Sequence, residues 1–352
     1  MNEEPMKRKA LRIMPSAAAA DAPAGPKIVI LATGGTIAET QADPMKAGCK
    51  SGTLQVGDLI RAVPRIRGLA DLTVEQFSNI ASRNMDGRMW LRLAGRVNKL
   101  LRRGDVGGMV ITHGTDTMEE TAWFLNLVVK SGKPVVMTGA MRPATAVGAD
   151  GPANLFNAVA VAAHPDAGGR GVLVTLNDEI HFAREIEKRD STQPDAFKSP
   201  NRGLAGAARA GAVRFFGRPA TPHTGASEFS VEGARSLPRV EIVYSHANMG
   251  RDFIDCAVEK GAAGIVLAGV GAGNVSDRAL AALSDAIRKG VAVVRSSRTG
   301  GGIVMRNSEM DDEKTGTIAA MEFNPQKARV LLMLALMKTS DPKAIQEAFL
   351  KY

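Results

Sequence analysis

The residues KIVILATGGTIAE, from Lys27 to Glu39, set the architecture of this chain. Lys27 to Ala32 is an almost unbroken β-branched and aliphatic run, the pattern of a strand buried on both faces of a parallel sheet. It stops at Thr33. Gly34 and Gly35 then permit a turn with positive φ or a close backbone approach, which carries the Thr36 hydroxyl just past the strand's carboxyl end. In open α/β sheets ligands bind along that edge. Taken alone, the same residues also fit a glycine turn that merely reverses the chain, so the flanking segments must decide between the two.

Thr40 to Ser51 (TQADPMKAGCKS) is polar and aperiodic, with Pro44 and Gly48 as breakers, and a loop of this kind beside a site reads as a lid. A short helix is expected from Gly57 to Val63 and an extended segment from Asp71 to Ile80, ending at Ser82. The next informative stretch is GGMVITHGTDTMEETAWFLNLVVK, Gly107 to Lys130. Met109 to Thr112 reads as a buried strand and His113 to Asp116 as a polar loop. Thr117 with Glu120 reads as a capping box that opens an amphipathic helix from Met118 to Lys130. Hydroxyl and carboxylate groups, on Thr115 and Asp116, therefore again sit at a strand-to-helix junction.

Pro134 to Thr138 and Gly171 to Leu176 are further buried strands, with a helix from Ala153 to Ala163 between them. This alternation predicts an α/β protein whose larger N-terminal domain is a doubly wound, mostly parallel sheet. Asn177 to Gly211 is irregular and charged, and it contains Lys188. Gly217 to Pro238, rich in Pro, Gly, Ser and Thr, reads as a linker. A second alternation follows in the C-terminal domain, residues 239–352, expected to be a smaller flavodoxin-like parallel sheet, with Asn324 and Pro325 opening a long helix. Residues 1–26 read as a flexible tail. Their basic residues and Ala-rich segment superficially resemble an export signal but lack an apolar core, so cytoplasmic and periplasmic placements both stay open.

A chain of 352 residues with 45% hydrophobic and 23% charged residues is an ordinary globular composition, long enough for about two domains. The net charge of +9 is spread along the chain, with short runs only at Lys7-Arg8-Lys9 and Arg102-Arg103, which argues against a nucleic-acid partner. Cys49 and Cys256 are too few for a disulfide framework, although one bridge between them is compatible with the sequence. No metal is expected, because the histidines show no ligand spacing. No cofactor is expected either, because Gly269, Gly271 and Gly273 in GVGAGN lack the third glycine and the distal acid of a dinucleotide fingerprint. No run approaches the roughly 18 apolar residues of a membrane span.

The turn Thr33-Gly34-Gly35-Thr36-Ile37-Ala38 and the loop from Thr112 to Glu120 together resemble the two signatures of the bacterial-type L-asparaginase and glutaminase-asparaginase family, in its type II-like form. The resemblance continues through Gly139 to Pro143, Ala149 to Pro152, Val294 to Arg298 and Asn324 to Val330, and so covers the chain from Lys27 onward. It implies hydrolysis of the side-chain amide of L-asparagine, with L-glutamine as a possible second substrate, through a threonine-linked acyl-enzyme that releases ammonia. By position Thr36 matches the primary nucleophile and Thr115 the second catalytic threonine. Lys188 matches the lysine that supports proton transfer with Asp116. Gly35, Ser82, Arg83, Thr115 and Asp116 match substrate-binding positions, with Ser82 at the α-carboxylate and Asp116 at the α-ammonium. Glu309 matches an acid supplied by a neighbouring subunit of a homotetramer built from intimate dimers.

One departure is evident: Cys49 stands where the family's lid carries a tyrosine, and a thiol lacks the reach and donor strength of a phenol. That substitution motivates a second reading, a catalytically weak amino-acid-binding protein on the same scaffold. A third, the amidase subunit of a tRNA-dependent amidotransferase, would show a heteromeric partner or co-purifying RNA. Arg83 also stands where many relatives carry Gln or Glu, which bears on the choice between asparagine and glutamine.

Overall fold

The computed structural model describes residues 25–40 and 55–352. The tail and the lid loop with Cys49 lie outside the described residues, apart from their borders. In the first half, β1 (Lys27–Gly34) is followed by α1 (Val56–Arg61), β2 (Asp71–Ile80), α2 (Gly87–Leu101), β3 (Gly108–Thr112), α3 (Met118–Val128), β4 (Val135–Thr138), α4 (Gly151–Ala163) and β5 (Val172–Leu176). Short strands follow: β6 (Glu179–Phe182), β7 (Glu187–Lys188), β8 (Phe197–Lys198), β9 (Gly206–Arg209) and β10 (Ala212–Phe215). The large sheet has the order β10-β9-β6-β5-β4-β3-β1-β2. It is parallel from β2 to β5 and antiparallel beyond.

The stretch β2-β1-β3-β4-β5 reverses strand order at β1, so a crevice opens at the carboxyl ends of β1 and β3. Alternation along β1 feeds two cores. Val29 and Leu31 pack in one cluster with Leu93 of α2 and Trp123 of α3. Ile28 and Ile30 pack in the other with Leu155 and Val159 of α4. Both faces are thus sealed by helices, as the unbroken apolar run demands.

The second half contains β11 (Val240–Tyr244), α5 (Asp252–Glu259), β12 (Gly264–Gly269), α6 (Asp277–Arg288), β13 (Ala292–Ser297), α7 (Asp312–Thr315), β14 (Ile318–Ala319), α8 (Pro325–Leu336) and α9 (Pro342–Lys351). Its four strands are all parallel, in the order β11-β12-β13-β14. Asn324 caps α8 by accepting from the Lys327 N–H at 2.9 Å. The Val294-to-Arg298 motif is structural at its centre, where Arg295 forms a fully buried, bidentate pair with Asp312 at 2.7 Å for each bond.

Gly217 to Pro238 contains no strand and only a single-turn helix, Thr224–Ala226. It is nonetheless fastened down: Phe229 is buried against Tyr352, whose hydroxyl accepts from the Glu228 N–H at 2.8 Å.

Two expectations for α3 need correction. Thr117 is its N-cap but makes no side-chain cap hydrogen bond; its hydroxyl donates instead to the Ser82 carbonyl at 2.8 Å. Nor is α3 amphipathic. Trp123 packs against Phe323 of the second half with centroids 5.2 Å apart and rings tilted 34° to each other, and nearly every residue of the helix is buried. The helix is covered by the sheet on one side and by α8 on another, so its polar residues face protein partners rather than water.

Candidate active site

The turn after β1 is built by glycines at φ 109° and 86°, Gly34 and Gly35. A Cβ on Gly35 would lie 2.3 Å from Cα and N of Gly114, so the backbones of the two turns touch. Thr33 reinforces this by donating its hydroxyl to the Thr112 carbonyl at 2.8 Å. Thr36 and Thr115 each follow one member of that glycine contact, which brings both hydroxyl-bearing residues to the switch point. Ser82 joins them from the end of β2: it is buried, and a Cβ on Gly114 would come within 2.7 Å of its Oγ.

Lys188 reaches the same place from β7. Its Nζ donates to Thr115 Oγ1 at 2.9 Å and to Asp116 Oδ1 at 2.7 Å. The lysine side chain is 15% exposed while Asp116 is 61% exposed, so the cation is sheltered and the carboxylate has an open side. The Thr36 side chain has no recorded hydrogen bond among the described residues, and the residue is partly open to solvent. This set can deliver a free hydroxyl, a second hydroxyl polarised by an ammonium, and a carboxylate able to receive a ligand cation.

Other expected positions stand apart. Arg83 is exposed on the turn after Ser82. Glu309 is exposed in the second half, where it accepts from Asn274 Nδ2, and within one chain it is not joined to Thr36.

Behind Lys188 lies a network that the sequence did not single out. The backbone N–H of Lys188 favours the charged form of Glu119 of α3. Glu119 Oε1 accepts from Gln326 Nε2 at 3.2 Å and its Oε2 lies 3.5 Å from Asn324 Nδ2. Burial pushes the Glu119 carboxyl up to about 7, against the opposing field of Lys327. Burial likewise raises Glu187 and lowers Lys327, which Glu119, Glu187 and Glu185 pull back toward the charged form. These acids belong to the first half and Lys327 to the second, so the strand carrying Lys188 is clamped between them. The only sequence signal for it is that Glu119 and Lys327 lie within the motifs that carry the family resemblance.

His113, next in chain to the glycine contact, is fully buried with Nδ1 2.7 Å from the Gly114 carbonyl, and burial holds its pKa down to about 4. The two titrations oppose each other. His113 is neutral in the folded state, so its contribution is intact above the unfolded value of 6.5 and is lost as pH falls toward 4. Glu119 is protonated in the folded state up to about 7, so its contribution is intact below 4.5 and is lost as pH rises through that interval. Each limb is worth roughly 3 kcal/mol at 1.36 kcal/mol per unit. Glu119→Gln is therefore expected to remove the largest limb opposing His113, with only the raised Glu187 and Glu120 left against it, giving a melting temperature that climbs more steeply between pH 4.5 and 6.5 than in wild type. Parallel curves for the two proteins would refute this assignment.

Two family models match the chain, described as "Asparaginase, N-terminal" over residues 27–221 and "Glutaminase/Asparaginase C-terminal domain" over 239–349. The chain is 47% identical to L-asparaginase 2 of Bacillus subtilis (strain 168), covering 99% of this chain and 93% of that protein. It is 45% identical to the glutaminase-asparaginase of Pseudomonas fluorescens biotype A, covering 92% and 90% respectively. The crystal structure of a probable cytoplasmic L-asparaginase from Campylobacter jejuni superposes with a TM-score of 0.90 at 49% identity, over 93% of this chain and all of that one.

Proposed function

The chain belongs to the asparaginase family, and from that membership we propose that it hydrolyses L-asparagine, and L-glutamine as a second substrate, with Thr36 as nucleophile. The observation that carries the assignment of residues is the Lys188 bridge to Thr115 and Asp116 beside the Gly35–Gly114 contact. In the first step the Thr36 oxygen bonds to the side-chain carbonyl carbon. Its proton passes through the set made by Thr115, Lys188 and Asp116 to the leaving nitrogen, the C–N bond breaks, and ammonia departs. Water then attacks the ester, its proton returns to Thr36, and the acid product leaves. Asp116, with its open side, suits a substrate α-ammonium, and the buried Ser82 suits the α-carboxylate.

Ammonia release from L-asparagine and L-glutamine by the purified protein tests the reading, with Cys49→Tyr alongside. Binding of either amino acid without ammonia release would replace it by the binding-protein alternative. A gain in turnover from Cys49→Tyr would show that the lid position limits the wild-type rate.

The assembly we propose is a homotetramer in which Glu309 completes a neighbour's site. It sits exposed, bonded by Asn274 Nδ2 and to no member of its own chain's Thr36 cluster, which fits such an exchange. Losing one hydrogen bond to a charged group, about 1.5–3 kcal/mol, predicts a KM for L-asparagine raised roughly tenfold or more in Glu309→Ala. An unchanged KM, or a fully active monomer by light scattering, would remove Glu309 from the site.

A further inference from the structure

A cavity of about 330 Å³ opens away from the Thr36 turn, between the end of β6, the approach to β5 and the loop after β10. Arginine dominates its lining, through Arg170, Arg184, Arg202 and Arg218, while among the described residues Glu185 is the only carboxylate lining it. Two of the four are neutralised. Arg184 bonds Glu185 at 2.8 Å and Glu322 at 3.1 Å, and Arg202 bonds Glu322 at 2.6 Å.

Arg170 is different. It is only 8% exposed, yet its acceptors are backbone carbonyls: Nε donates to Asp166 O at 2.6 Å and Nη1 to Gly217 O. Its guanidinium carbon stacks 4.0 Å from the centre of the Phe215 ring. No ion pair joins it to a carboxylate among the described residues, and its Nη2 has no recorded partner there. The exposed Asp166 carboxylate acts on it through its field, without a direct hydrogen bond. Arg218 adds a second cation at the same mouth, with Nη1 3.7 Å from where a Cβ on Gly169 would stand, and its field opposes that of Arg170. His223 completes the wall, with Nδ1 2.9 Å from the Thr224 hydroxyl.

Two guanidinium groups brought together with no carboxylate bonded to either among the described residues, one of them buried, repel each other, and an anion between them relieves that repulsion. Guanidinium forks match the paired oxygens of phosphates and carboxylates. We propose that this cavity is a binding site for a small oxyanion, a phosphate or a small dicarboxylate, held between Arg170 and Arg218. The proposal does not depend on the catalytic assignment, because none of its residues belongs to the Thr36 cluster.

The test is calorimetric titration of the full-length protein with inorganic phosphate and, separately, succinate at constant ionic strength, with melting temperature as a second readout. Saturable binding of one probe per chain is expected, with a rise in melting temperature. Arg218→Ser, a change at an exposed residue, should weaken that binding by about tenfold or more, since one charge-assisted contact is lost. It should leave ammonia release unchanged. Arg170→Lys, which keeps the charge but removes the fork, should weaken it as well. Preference for phosphate or for succinate identifies the source of the anion. Failure of both probes to bind wild type, or equal binding by wild type and both variants, would overturn the site.

Discussion

Thr36→Ala is expected to lower kcat for L-asparagine on the order of 10⁴-fold or more, with little change in KM or melting temperature. The reasoning starts from what the side chain does in the fold. Thr36 follows the Gly35 contact but its side chain has no recorded hydrogen bond among the described residues, so removing the hydroxyl deletes no structural bond. Substrate charges are expected to be held by Asp116 and Ser82, which the substitution leaves intact. What disappears is the atom that forms the ester, and without it the two-step route is closed. Thr36→Ser, which keeps the oxygen, should recover part of the rate, and an aspartyl adduct should be trapped by mass spectrometry on the serine variant but not on the alanine variant. If Thr36→Ala turned over like wild type while Thr115→Ala did not, the nucleophile would be Thr115.

Much of this site could be read in the sequence because its parts are local. The apolar run of β1 and the short run of β3 are buried on both faces, and such strands betray themselves without knowledge of their neighbours. The turns that follow carry their hydroxyls at the strand ends, where the sheet's strand order opens a crevice. Lys188 is another matter. Nothing in the charged, irregular segment around it marks it as sheltered; only the family resemblance pointed there.

The misreading of α3 has a related cause. Glu119, Glu120 and Asn126 look like a solvent face, yet each is satisfied by a distant partner. Glu119 meets Gln326 and the field of Lys327, and Glu120 lies 3.7 Å from Arg329. Asn126 accepts the Val172 N–H at 2.9 Å. A periodicity argument assumes that polar residues seek water. It fails where a second layer of protein supplies the counter-charge. Thr117 failed as a cap for the same reason, since the Ser82 carbonyl offered its hydroxyl a different partner.

Lys327→Met should expose what that second layer contributes. The substitution keeps an unbranched side chain in a fully buried position and removes its charge, leaving Glu119 and Glu187 facing each other in the interior. Arg184 does not replace the lost cation, because it is bonded to Glu185 and Glu322, while Arg189, 3.4 Å from Glu187, still answers that acid and leaves Glu119 the more exposed to the loss. Lys327 acts on these acids through its field, with no direct ion pair to them among the described residues, so the cost should fall below the roughly 3–5 kcal/mol of breaking a buried contact pair.

The loss should depend on pH in a definite direction. Without Lys327 the folded-state pKa values of Glu119 and Glu187 rise further above their unfolded value of 4.5, so stability is retained at pH 5 and drains away as pH climbs through the folded values. Chemical denaturation of the variant should therefore show a larger deficit at pH 8 than at pH 5. Glu119→Gln in the same background should recover part of it, because the glutamine still offers an acceptor to Gln326 but carries no charge. Because Glu187 shares β7 with Lys188, whose ammonium is bonded to Thr115 and Asp116, kcat should fall in Lys327→Met at pH 8 and partly return in the double variant. A deficit equal at both pH values, or no deficit, would mean that Lys327 does not neutralise these acids and that Lys188 is positioned by β7 alone.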